Sequence, residues 1–120
     1  MAHNFKKLHI WNKSMDIADK VFIYCQGLPK SERFNLIDQM YRSSCSIPSN
    51  IAEGSGKRSN LQFAEYLSIS LSSSYELETQ LLICQRRNYG DSIFLSQLLD
   101  ELESLQRMIF SYRNKILNEK

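Results

Sequence analysis

Between residues 95 and 116 the chain places Leu95, Leu98, Leu102, Leu105, Ile109, Tyr112 and Ile116 at alternating steps of three and four. A helix of about 3.6 residues per turn keeps such positions on one narrow face, whereas a strand, with its period of two, scatters them. The seven-residue repeat is the spacing of helices packed at a shallow angle. One apolar stripe cannot bury itself, so the segment requires partner helices, and the rest of the chain supplies them. Phe63, Leu67, Ser70, Ser74, Leu77, Leu81 and Cys84 repeat the same steps, as do Trp11, Ala18, Val21, Cys25 and Leu28 with Ser14 filling the gap. Ile47 and Ile51 carry a shorter stripe in a further segment.

Turn chemistry separates these stretches at Gly27-Leu28-Pro29-Lys30-Ser31, at Gly54-Ser55-Gly56-Lys57-Arg58-Ser59 and at Asn88-Tyr89-Gly90-Asp91. The spacing therefore predicts helices over about 8–28, 32–54, 60–87 and 92–118 in one domain spanning 1–120. Ser31 is the expected cap of the second, with Glu32 in its first turn. Ser59-Asn60-Leu61-Gln62 reads as a capping box, and Asp91 or Ser92 caps the fourth. The glycines at 54 and 56 are expected to end the second helix in a left-handed turn. Pro48 lies inside that helix and removes a donor, so a kink is expected there, with the helix continuing beyond it. Helices of this length joined by short turns run antiparallel, which predicts an all-α, antiparallel up-down-up-down four-helix bundle. Only four glycines and two prolines in 120 residues argue against an all-β alternative, which needs a turn every ~8–12 residues.

The most unusual stretch is Gln39 through Gly54. Gln39, Ser43, Ser46, Asn50 and Glu53 recur at helical spacing beside the apolar stripe, with Arg42 alongside and small residues at Ser43, Ser44 and Ser46. Such a row is either a solvated face or a buried hydrogen-bonded seam that sets helix register or a subunit contact. The serine-rich run 68–74 lowers helix propensity and calls for close packing, within the bundle or between subunits, as compensation.

These residues resemble a known family. Leu8-His9-Ile10-Trp11, Leu28 through Leu36, Gln39 through Gly54, and Phe63-Ala64-Glu65-Tyr66-Leu67 with Ser73-Ser74-Tyr75-Glu76-Leu77-Glu78 are similar to the four-helix-bundle family named after the protein encoded in intervening sequences of large-subunit ribosomal RNA genes. The Ser46-Ile47-Pro48-Ser49-Asn50-Ile51-Ala52-Glu53-Gly54 core is the most specific part. The resemblance implies a homopentameric, tapered barrel. It also implies kinship with the accessory protein of diversity-generating retroelements, which partners a reverse transcriptase and binds nucleic acid. On this basis Gln39, Arg42, Ser43, Ser46, Pro48, Asn50, Glu53 and Gly54 form the expected structural or assembly motif. The retroelement protein is strongly basic, whereas this chain carries 15 Lys and Arg against 13 Asp and Glu.

Charge placement adds an expectation of its own. In the predicted topology one end gathers the N-terminus, the second turn and the C-terminus, and with them Lys6, Lys7, Lys57, Arg58, Arg113, Lys115 and Lys120, against chiefly Glu53 and Glu119. Such a basic end suits RNA or DNA backbone, and symmetric copies would turn it into a ring. The competing reading is a structural protein–protein module without nucleic acid.

Enzymatic chemistry has no support in the pattern. Gly54-Ser55-Gly56-Lys57 lacks the remainder of a phosphate-binding loop, with Ile at 51 and Arg at 58. His3 is expected in a frayed terminus and His9 at the surface. No Cys or His spacing suits a metal, so no cofactor is expected. Cys25, Cys45 and Cys84 read as buried small hydrophobes in a reducing compartment. The aromatic residues Trp11, Phe22, Phe63, Tyr66, Tyr75 and Tyr112 are expected in the core. The apolar runs are too short for a membrane span, and the chain reads as cytoplasmic.

Overall fold

The computed structural model describes residues 3–119, so Lys120 lies outside the described residues. It is built from α1 (His9–Cys25), α2 (Leu36–Ser55), α3 (Asn60–Arg86) and α4 (Ser92–Leu117), with 3-10 turns at Phe5–Lys7 and Lys30–Glu32 and no strand among the described residues. Each helix lies against two others: α1 and α3 both pack on α2 and on α4. The result is a rod of 49 × 23 × 20 Å.

The stripes of α3 and α4 enter the core as their spacing requires. All seven α3 positions are buried, and so is every α4 position except Tyr112, which is half-buried. In α1 the buried set is Ile10, Ser14, Ile17, Val21, Tyr24 and Cys25, while Trp11 and Ala18 sit at its margin. Two interleaved rows, 10-14-17-21-24-28 and 11-14-18-21-25-28, share three positions. Spacing alone cannot rank them; the direction from which α2 and α4 approach buries Ile10 and Ile17 in preference to Trp11 and Ala18, while Tyr24 and Cys25 are both buried.

The second helix starts later than its cap signal predicts. Ser31 and Glu32 lie in the 3-10 turn, and α2 begins at Leu36. Asn35 occupies the N-cap position without a side-chain capping bond. Its amide is engaged elsewhere, donating to Glu32 Oε1 at 3.2 Å and accepting from Gln39 Nε2 at 3.0 Å. The other caps form as expected: Ser59 Oγ accepts from the Gln62 amide, and Asp91 Oδ1 from those of Ile93 and Phe94.

Neither Gly54 nor Gly56 adopts a left-handed conformation. Positive φ occurs instead at Asn88 and Gly90, in the third turn. Gly54 is buried within α2, and a Cβ there would stand 2.5 Å from Tyr66 Cβ and 3.0 Å from Phe63 Cδ1. The residue is small because α3 comes that close. Gly90 combines both demands, with φ of 72° and a built Cβ only 2.7 Å from Tyr24 Cε1.

Helix α2 runs on through the buried Pro48. Nearby carbonyls accept additional side-chain donors: Ser49 Oγ to Cys45 O at 2.8 Å, Asn50 Nδ2 to Ser46 O at 2.8 Å and Ser70 Oγ to Ile47 O at 2.9 Å. These bonds add side-chain donors to the carbonyls of residues 45–47, while the carbonyl that the missing N–H of Pro48 leaves free is that of Ser44.

Other expectations fail at the surface. Cys45 is exposed. Phe22 and Tyr75 are more than half exposed, in place of the core positions expected of them. His3 is tied down, its N–H donating to Ser55 O at 2.9 Å and its ring 5.1 Å from that of Phe63.

Candidate functional site

The polar row of α2 meets the serine run of α3 in a ladder. Ser43 Oγ donates to Gln80 Oε1 at 2.7 Å, Ser46 and Ser73 share a hydroxyl–hydroxyl bond of 2.8 Å, and Ser70 reaches the Ile47 carbonyl. Gly54 against Phe63 and Tyr66 closes the row. Partner numbers fall along α3 as they rise along α2, so each rung fixes the same register. Short side chains at every rung let the backbones approach, which is what compensates the low helix propensity of α3. The predicted motif therefore divides. Ser43, Pro48 and Gly54 are buried and Ser46 and Asn50 half-buried, with Asn50 Nδ2 also 3.0 Å from Ser46 Oγ. Gln39, Arg42 and Glu53 face outward, Arg42 in an exposed ion pair with Asp38 at 3.3 Å.

The N-terminal turn, the end of α2, the start of α3 and the end of α4 share one end of the rod. The His3–Ser55 hydrogen bond, the His3–Phe63 contact and a Phe63–Tyr112 edge contact at 5.9 Å tie them together. Lys6, Lys7 and Arg58 are exposed there, and the Lys57 ammonium rides 5.0 Å above the Tyr66 ring. Arg113 is drawn onto the flank, where its Nε donates to Ser68 Oγ at 2.6 Å and its Nη1 to Asn114 Oδ1. Lys115 borders a groove between α1 and α4 with His9, Tyr112 and Arg107. Among the described residues none of these six cations has a carboxylate within ion-pair distance, whereas Lys20 pairs with Glu101, Arg87 with Glu32 and Arg107 with Glu103. Tyr112 has its pKa raised by burial, with the nearby Glu119 adding to the shift.

The opposite end holds a feature that sequence reasoning missed. Glu32, expected to complement a helix dipole, is buried and clasps the third turn: it accepts from Tyr89 Oη at 2.9 Å and from Arg87 Nη1 at 3.5 Å. That hydrogen bond raises the Tyr89 pKa. Tyr24 donates to the Tyr89 carbonyl at 2.7 Å. Burial pushes the Cys25 thiol up to about 12, with Cys84 adding to the shift. The available signal was an acid next to a proline turn and an Arg-x-Tyr in another turn; pairing them requires the tertiary structure. Lys30, Arg33, Arg86 and Arg87 lie toward this end too, while Asp16, Asp19, Glu76, Glu78, Asp100 and Glu101 line the helix middles.

Residues 6–111 match the family described as 23S rRNA-intervening sequence protein. The chain belongs to that family. The same fold is seen in the crystal structure of a protein with unknown function from the S23 ribosomal protein family of Bacteroides thetaiotaomicron VPI-5482, with a TM-score of 0.79 and 23% identity over 88% of this chain and 95% of that one. No curated protein matches this family member. The matched span begins at Lys6 and takes in the α2–α3 ladder, the Glu32 clasp and four of the basic-end cations besides.

Proposed function

We propose that this member of the 23S rRNA-intervening sequence protein family is a non-enzymatic, self-assembling up-down-up-down bundle whose basic end contacts RNA or DNA backbone as a ribonucleoprotein accessory. The observation that carries the reading is the cluster of Lys6, Lys7, Lys57 and Arg58 at one end with no carboxylate partner among the described residues. Four cations on short turns without carboxylate partners among the described residues suit phosphates, and contacts of that kind carry little sequence information. The resemblance to homopentameric relatives supports five copies around an axis, which would repeat the cluster as a ring.

Binding of a labelled RNA followed by fluorescence anisotropy tests this. Four phosphate contacts imply roughly a 100-fold loss of affinity between about 50 and about 200 mM salt. Lys57→Glu with Arg58→Glu is expected to abolish most of the remainder. No binding at low salt, or binding indifferent to the double substitution, refutes the proposal. Mass in solution tests assembly, and a monomer at micromolar concentration refutes it.

The second reading, a protein–protein module, is favoured by the exposed apolar side chains of Ile93 and Phe110 on α4 and Tyr75 on α3. Copurification of one stoichiometric protein partner, free of nucleic acid, would support it over the first.

A further inference from the structure

At the end of the rod away from the basic cluster, the turn after α1 and the start of α2 enclose a groove of about 690 Å³, within the roughly 300–1,000 Å³ range of ligand clefts. Its walls are mixed. Phe34 and Tyr41 contribute aromatic rings, Lys30 and Arg33 cations, and Gln26 a primary amide. Phe34 is 87% exposed, an unusual position for a phenylalanine that the core does not use. The Arg33 guanidinium lies 5.3 Å from its ring centroid, so one face is occupied and the other is open. Tyr41 is held in place by stacking on Phe22 at 5.7 Å and by its hydroxyl accepting from Gln26 Nε2 at 3.3 Å.

The charges identify the occupant. Asp38, the one acid on the groove, is engaged by Arg42, while Lys30 and Arg33 have no carboxylate partner among the described residues. The uncommitted charge is therefore wholly positive and borders open aromatic surface. A protein segment would have to be both acidic and aromatic to match it. A nucleotide carries that combination in every unit: a planar base to stack and a phosphate for the cations.

We infer that this groove binds single-stranded nucleic acid, with an unpaired base stacked on Phe34 and the adjoining phosphate on Lys30 and Arg33. A paired base cannot reach the ring without leaving its stack, so the groove discriminates single strands from duplex. This site is separate from the Lys57 and Arg58 cluster, and it rests on the proposed function only for the class of partner.

The test is anisotropy titration of the full chain with a labelled single-stranded oligouridylate and with a blunt duplex of equal length. Phe34→Ala is expected to weaken single-strand binding about 5- to 150-fold and to leave duplex binding nearly unchanged. Phe34→Trp should restore the affinity, with indole emission quenched on binding. Because Phe34 is exposed, thermal unfolding of both variants should match the parent chain, which separates lost stacking from lost fold. Equal single-strand affinity in Phe34→Ala overturns the inference, and so does a change in solution mass on that substitution, which would place a second copy in the groove. If Lys57→Glu with Arg58→Glu removes all binding while Phe34→Ala removes none, the groove is refuted and the basic end stands. The reverse pattern refutes the basic end and keeps the groove.

Discussion

Substituting Gly54 by alanine sets two well-known effects against each other at one buried site. Residue 54 is inside α2 and has no positive φ, so the backbone gains: alanine exceeds glycine in helix interiors by about 0.8–1.0 kcal/mol. Packing opposes this. The new methyl would stand 2.5 Å from Tyr66 Cβ and 3.0 Å from Phe63 Cδ1. Tyr66 Cβ is bonded directly to the α3 backbone and cannot swing aside, so the helices must separate where the hydroxyl ladder holds them in register. Overpacking of this kind costs about 1–3 kcal/mol, and more when backbone must move. The expected sum is a destabilisation of about 1–2 kcal/mol, or roughly 3–8 °C in Tm for a chain of this size. Gly56→Ala is the internal control: it shares the same turn, but its Cβ meets only Glu53 O at 3.6 Å. It should be neutral or stabilising by up to about 1 kcal/mol. Urea unfolding with an unchanged slope reads both. If Gly54→Ala proves as stable as the parent chain, the close α2–α3 approach is not the reason for glycine at that position.

Three further outcomes follow from the same geometry. Ser43→Ala leaves Gln80 Oε1 without its short donor in a buried site, and should lower stability by about 1–3 kcal/mol in chemical unfolding; Ser46→Ala, at a half-buried rung, should lower it by less. Tyr89→Phe and Glu32→Gln should be non-additive in a double-mutant cycle, because the two turns share one hydrogen bond, and additive free energies would show the clasp to be incidental. Stability should fall in alkali: the unfolded Cys25 thiol ionises near its ordinary value of 9, while the folded one keeps its proton to about 12. Between those limits the unfolded chain binds fewer protons, so stability is complete below pH ~9 and declines by up to about 1.4 kcal/mol per pH unit for this group as pH rises. The raised Tyr24 and Cys84 act in the same direction, and a flat pH profile from 8 to 11 would contradict their burial.

The periodic rows of α3 and α4, the caps at Ser59 and Asp91 and the all-helical class follow from the sequence alone. Each rests on interactions between residues a few positions apart, which a linear string records directly. The polar row of α2 was equally visible as a pattern, and its small residues announced a close approach. What faced it was not visible, because hydroxyl ladders join residues such as Ser43 and Gln80 that are far apart in the chain. For the same reason the choice between the Ile10 and Trp11 rows, the role of Gly54 as a contact residue, and the diversion of Glu32 from helix cap to inter-turn clasp were decided only in three dimensions. Of the expected basic end, Lys6, Lys7, Lys57 and Arg58 lie on turns that contacts of His3 with Ser55 and Phe63 tie together, whereas Arg113 is held on the flank by Ser68. The exposure of Phe34 was not legible, since whether an aromatic beside a helix start is covered depends on which neighbour reaches it. Local periodicity sets which face of a rod is apolar, and only the packing of all four rods sets what remains uncovered.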